Sequence, residues 1–192
     1  SADAKGDYAK AAEFYAAQTS WSDATCRQAA DRFASVARAH KTLVEAQYMV
    51  GRSYHNCNLA KEAEEAYQAA IKIRPEGGGV PIALAASISN VGELYYAAGK
   101  VDGAKQWWEK AIKANPKLAA AYVNLAVLQL DELRRTKDSA AWKKLEEDTR
   151  KKLSISLAID NENVKAYTVY GLVYMEGFEK NRNRLDLAKL LL

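Results

Sequence analysis

Two stretches of this chain repeat one arrangement of small and bulky side chains, and that arrangement restricts the fold more than any other feature. The first runs Val50-Gly51-Arg52-Ser53-Tyr54, continues through Ala63, Tyr67 and Ala70, and closes on Ile73-Arg74-Pro75. The second runs Val91-Gly92-Glu93-Leu94-Tyr95, continues through Ala104, Trp108 and Ala111, and closes on Ala114-Asn115-Pro116. Fainter copies place Ala126 and Gly171 at the glycine position, with Tyr174 three residues after Gly171. A residue without bulk lets a neighbouring helix come close. A tyrosine three positions later lies one turn along the same face and reads as a wedge between paired helices. Alanine, aromatic and alanine at steps of four and three form a small-large-small stripe on a second helix, and proline then ends that helix.

The glycine-equivalent positions are 41, 34 and 45 residues apart. The excesses over 34 are 7 and 11, close to two and three turns at about 3.6 residues per turn, so an insertion of either size lengthens a helix without rotating its buried stripe. The shorter falls in Gly77-Gly78-Gly79-Val80-Pro81-Ile82-Ala83, a flexible hinge meeting a proline suited to a helix start. The longer falls between Leu130 and Leu153, with Thr136-Lys137-Asp138-Ser139 as a turn and Trp142 opening an extended second helix. The pattern predicts ten helices, at 7–18, 23–39, 43–57, 60–73, 81–98, 101–114, 118–135, 138–159, 163–176 and 184–192.

An apolar residue and glycine three before a tyrosine, then Ala-x-x-x-aromatic-x-x-Ala, then proline, resembles the tetratricopeptide repeat (TPR), and the period covers nearly the whole chain. The resemblance implies an all-α fold: an α-solenoid, a right-handed superhelix of about five antiparallel helix pairs. We expect one domain over 1–192. Within it lie an atypical first pair at 7–39, a repeat at 43–75, one with an extended first helix at 81–116, one with an extended second helix at 118–160, and a truncated last repeat at 163–192. In the first pair both Ala11 with Tyr15 and Ala29 with Phe33 look like second helices. Residues 1–20 are either the tail of a missing repeat or the first helix of this pair. The start at Ser1 and the apolar end Leu190-Leu191-Leu192 lead us to expect a fragment of a longer protein, in which Leu187, Leu190 and Leu191 pack on further repeats or on a second copy.

Net charge is +4 from 28 basic and 24 acidic residues, interspersed without a long basic run, so the expectation is no nucleic-acid partner. No apolar stretch reaches the ~18–20 residues that span a bilayer. Cys26 and Cys57 sit at helix ends that this stacking brings together; they are either joined as a disulfide in an oxidising compartment or two small thiols.

Reactive groups are few. His40 reads as a helix-end cation and His55 as structural or groove-lining; His55 and Cys57 together are too few for a metal. Glu64-Glu65 and Glu146-Glu147 are flanked by lysines at helical spacing and read as solvated ion-pair faces. Gly77-Gly78-Gly79 lacks the lysine and hydroxyl residue of a phosphate loop. We expect no enzyme, no cofactor and no metal.

In the resembled family the first helices line a concave surface that holds a peptide or a helix of a partner protein. Carried over by register, the implied lining is Tyr48, Arg52 and His55; Ser89, Asn90, Glu93 and Tyr96; Val123, Asn124, Val127 and Leu130; and Thr168 and Leu172, with Met175 beyond. Asn90 and Asn124 fall where the family often uses an amide on the ligand backbone. Tyr48, Ser89, Ala120 and Val123 stand where a carboxylate clamp needs cations, so no clamp is expected. The first half of the row is polar and aromatic, the second apolar. The expected function is a protein-protein interaction adaptor in a larger assembly, with a helical-repeat RNA binder or a regulatory domain of a larger enzyme as alternatives. Self-association through the apolar C-terminal helix is a further expectation. The alanine-rich texture also resembles bacterial TPR proteins of the cell envelope, including outer-membrane assembly and gliding-motility machines, which implies a periplasmic or envelope location.

Overall fold

The computed structural model describes residues 2–75, 80–176 and 185–191. Among them are ten helices and no strand: α1 Ala2–Ala16, α2 Asp23–Ala39, α3 Val44–His55, α4 Ala60–Lys72, α5 Ile82–Ala97, α6 Val101–Ala114, α7 Ala119–Leu133, α8 Ser139–Ile159, α9 Val164–Met175 and α10 Leu185–Leu191. Each predicted helix is present. The main departure is α1, which begins at Ala2 because Gly6 sits in the helix with open space around it and costs only propensity. The glycine hinge at 77–79 and Leu192 lie outside the described residues.

Local sequence explains the helix ends. Ser22 caps α2 by a reciprocal pair with Thr25, Asp138 caps α8 through the Ala141 N–H, and Asn163 caps α9 through the Ala166 N–H. The turns after α3 and α5 share one device. Asn58 (φ 54) and Gly99 (φ 74) are left-handed, and the next residue's N–H closes back on the helix, Leu59 to the Tyr54 carbonyl and Lys100 to the Tyr95 carbonyl. This arrangement satisfies carbonyls the helix end leaves orphaned.

Two compact units divide the chain, 1–107 and 108–192. In the first, α1 packs on α2, α2 on α3, α3 on α4, α4 on α5, and α3 also on α5. Phe33, Ala30, Val36, Val50 and Ala66 form one core with Tyr8, Tyr15 and Tyr54 against it. Tyr67, Ala63, Val91 and Leu94 form another. Complete burial of Phe33 and Tyr67 contributes about 1.5–3 kcal/mol each. Gly51 has the predicted reason to be glycine: a Cβ there would stand 2.5 Å from Cδ1 and Cε1 of Tyr67. Gly103 repeats the device unforeseen, since its Cβ would meet Tyr95 Cδ1 at 2.6 Å.

In the second unit α7 packs on α8, α8 on α9, α7 on α9, and α9 on α10. Leu133, Trp142, Leu153, Val169 and Val173 fill the centre, together with Val123, Ala126 and Leu130. The 21-residue α8 is the extended second helix expected from Trp142 onward. Its buried hydroxyls are satisfied along the helix or across it: Thr149 donates to the Leu145 carbonyl and Ser156 to that of Ala119.

Candidate functional site

In the first unit the implied lining gathers around one side chain that the spacing assigned only to the core. Tyr67 reaches up from α4 between α3 and α5. Its ring centroid lies 6.0 Å from those of both Tyr48 and His55. Its hydroxyl accepts from Asn90 Nδ2 at 2.9 Å and meets His55 Nδ1 at 3.2 Å. With His55 neutral and its proton on Nε2, the Tyr67 O–H donates to Nδ1 while its oxygen accepts from Asn90. Burial pushes the His55 pKa down; Glu93 opposes this and Arg52 adds to it. Burial likewise drives the Tyr67 phenol upward, so it stays protonated.

Arg52 lies on the solvent side of this hub. Burial of its stem works against the charge, and the phenols of Tyr48, Tyr15 and Tyr67 more than offset that, leaving its pKa above the ordinary value. Tyr15 is one of the phenols that favour the Arg52 charge, and its hydroxyl accepts from Asn56 Nδ2 at 2.8 Å. The accessible surface of α3 and α5 is therefore a cation held among phenols, with Glu93 part-buried and Tyr96 38% exposed. Ser89 and Asn90 are buried, and the Asn90 amide is engaged with Tyr67. They shape the wall from behind instead of facing outward.

In the second unit, Val123, Asn124 and Leu130 are buried, and Val127 and Leu172 pack partly buried on the same core. The apolar half of the expected row is thus largely consumed by the contact of α7 with α9. Asn124 Oδ1 accepts from Lys165 Nζ at 2.7 Å. Thr168 is exposed, with its hydroxyl turned back to the Val164 carbonyl, and Met175 is 43% exposed.

Sequence reasoning did not find the other feature of this unit, a cavity of about 440 Å³ lined by Trp142, Lys143, Glu146, Arg150, Tyr174 and Leu187 among others. Arg150 pairs with Glu146 at 3.1 Å and lies over the Tyr174 ring, itself stacked on Tyr170. Only the spacing of Glu146 and Arg150 on one face of α8 signals it. On α10, Leu190 is 80% exposed while Leu187 and Leu191 are partly buried.

Cys26 and Cys57 are joined by a disulfide, with Cα atoms 6.4 Å apart. His40, at the end of α2, meets Asp7 at 3.1 Å. Among the described residues no three His, Cys, Asp or Glu side chains group as metal ligands, and no helix is long and apolar enough to cross a membrane.

Comparison with known proteins agrees with this architecture. A tetratricopeptide repeat profile matches residues 44–76 and a TPR repeat profile matches 92–131. Among solved structures, MamA is 18% identical, with 88% of this chain and 85% of that chain covered and a TM-score of 0.56. A MamA RS-1 ArsTM double mutant is 15% identical over 98% and 89% of the two chains, with a TM-score of 0.57. YrrB, described as a TPR protein with an unusual peptide-binding site, is 14% identical over 86% and 77%, with a TM-score of 0.56. At these identities the likeness is one of fold. No curated protein matches by sequence.

Proposed function

We propose that this chain, a tetratricopeptide-repeat protein with an all-α solenoid fold, is a non-catalytic scaffold that grips a segment of a partner protein on the α3 and α5 wall of its first unit. One observation carries the reading: Tyr48, Arg52 and His55 surround the Tyr67 hub and keep accessible surface, with Tyr96 exposed further along α5, Arg52 set among phenols and no carboxylate ion-paired to it among the described residues. Phenols and a guanidinium combine large contact area with directed hydrogen bonds and dominate the energetics of protein interfaces. Such a wall suits an extended peptide bringing an acidic side chain to Arg52. Taken by itself, the second unit has an apolar row that is mostly buried, and Val127, Thr168 and Leu172 keep what access it has as a separate, lesser contact surface.

A pull-down with the complete protein tests this, run beside Arg52→Ala with Tyr96→Ala, and beside Val127→Glu with Leu172→Glu. Loss of bound protein with the first pair and partial retention with the second is the expected result. The same partners recovered with all variants would remove the groove reading.

The disulfide supports an oxidising location such as a periplasm or envelope. Exposed Leu190 favours α10 as the element of self-association. Sedimentation of the wild type against Leu190→Glu decides that point: equal masses at all concentrations would discard it.

A further inference from the structure

We propose that the Cys26–Cys57 disulfide is a redox latch on the α3–α4 turn, which begins at Asn56 just after the helix end carrying Arg52 and His55, and that this turn opens on reduction while the cores on either side stay folded. Cys26 is fully buried in the first turn of α2, and Cys57 lies in the α3–α4 turn, one residue after Asn56 and two after His55. The bond thus ties the end of α3 to the start of the preceding helix at the edge of the Arg52 wall.

Other ties also reach this end, His55 to the buried Tyr67 hydroxyl at 3.2 Å among them. Asn56 donates to the Tyr15 hydroxyl at 2.8 Å. Arg27 and Glu62 form a solvated pair at 3.2 Å, of a kind that contributes little. Tyr15 packs against Trp21, in the segment before α2, as a tilted ring pair with centroids 4.8 Å apart. Asn58, just after Cys57, holds a left-handed conformation, which asparagine adopts more readily than other non-glycine residues. The turn itself is closed by backbone hydrogen bonds, Cys57 to the Tyr54 carbonyl, Asn58 to that of His55 and Leu59 to that of Tyr54, and the disulfide adds a covalent tie from it to α2. Cys26 is itself fully buried on α2, and the core beneath is centred on Phe33, Val50 and Ala66.

The chemistry balances with a dithiol reductant. A thiolate attacks the Cys57 sulfur, the more accessible of the two. The protein disulfide takes up two electrons and two protons to give two thiols, and the reductant closes to its own cyclic disulfide. Where the interaction reading above holds, the redox state then sets how firmly this wall is presented, but the latch itself is measurable without a partner.

The experiment is amide hydrogen exchange by mass spectrometry on the oxidised chain and on the chain reduced with dithiothreitol, with thiols counted in both. We expect no free thiol before and two after, and exchange at 55–60 faster by about tenfold or more, with α7 unchanged. In Cys26→Ser with Cys57→Ser the turn should exchange at the fast rate whether or not dithiothreitol is present. Two free thiols before reduction, an unchanged turn after it, or equal acceleration throughout the chain would each overturn the proposal.

Discussion

Gly51→Ala tests the packing on which the first unit rests, because the helix itself welcomes the change. In a helix interior alanine is more favourable than glycine by about 0.8–1.0 kcal/mol. Opposing that, the added methyl would lie 2.5 Å from two carbons of a ring that is fully buried. The ring cannot swing clear without losing Asn90 and His55 from its hydroxyl. Forcing a methyl into a packed site costs roughly 1–3 kcal/mol and occasionally more; with two ring carbons at 2.5 Å the upper part of that range applies, about 2–3 kcal/mol, so the net effect is a loss of about 1–2 kcal/mol. For a chain of this size that lowers Tm by about 2–8 °C. Gly6→Ala is the control: it is also helical, has nothing within 4 Å of the new methyl, and should gain about 0.5–1 kcal/mol. Thermal and urea melts followed by helix circular dichroism measure both. Gly51→Ala should recover most of its loss when Tyr67→Leu is added, since neighbours couple. A neutral or stabilising Gly51→Ala, or an additive double variant, would refute the close-approach argument.

Asn90→Ala removes the donor to the buried Tyr67 hydroxyl and should cost about 1–3 kcal/mol in urea melts, shrinking in a Tyr67→Phe background; an undiminished cost there would show the loss lies elsewhere. His55 is favoured neutral by its burial, so its contribution is complete above the unfolded value of about 6.5 and falls as pH drops from there through the depressed folded value. Wild type should therefore lose more Tm than His55→Gln between about pH 7 and 5.5, and parallel curves would contradict it. Asp138→Ala removes the cap on α8 and should cost about 1 kcal/mol, while an unchanged melt would mean that water or a neighbour replaces the carboxylate.

The repeat pattern made the hairpin series readable because a close helix approach allows few residue types: Gly51 opposite Tyr67 is visible as spacing before any coordinates. Pro75 and Pro116 marked helix ends for an equally local reason. The site was less readable. Register assigns a residue to a face, but it does not say whether the next helix covers that face. Val123 and Leu130 were therefore expected on an open row, and α7 and α9 bury them between each other. Asn90 and Asn124 read as ligand-holding amides because no linear pattern reveals that a phenol or an ammonium from a distant helix needs them. The two sulfurs stayed open between bond and thiols, since a pairing distance depends on how two hairpins are angled. Gly103 gave no signal, as its partner Tyr95 was already assigned as a wedge.

The Tyr67 hydroxyl, shared between His55 on one helix and Asn90 on another, bears on how freely these modules can be traded. Residues 44–75 look like a brick that could be lifted out or swapped for a consensus copy. Cutting there would strand an amide in the following segment, facing a socket built for a phenol. A shortened or shuffled array would tolerate the exchange only if the incoming piece carries tyrosine at that spot, which makes neighbouring segments co-dependent parts and not interchangeable stock.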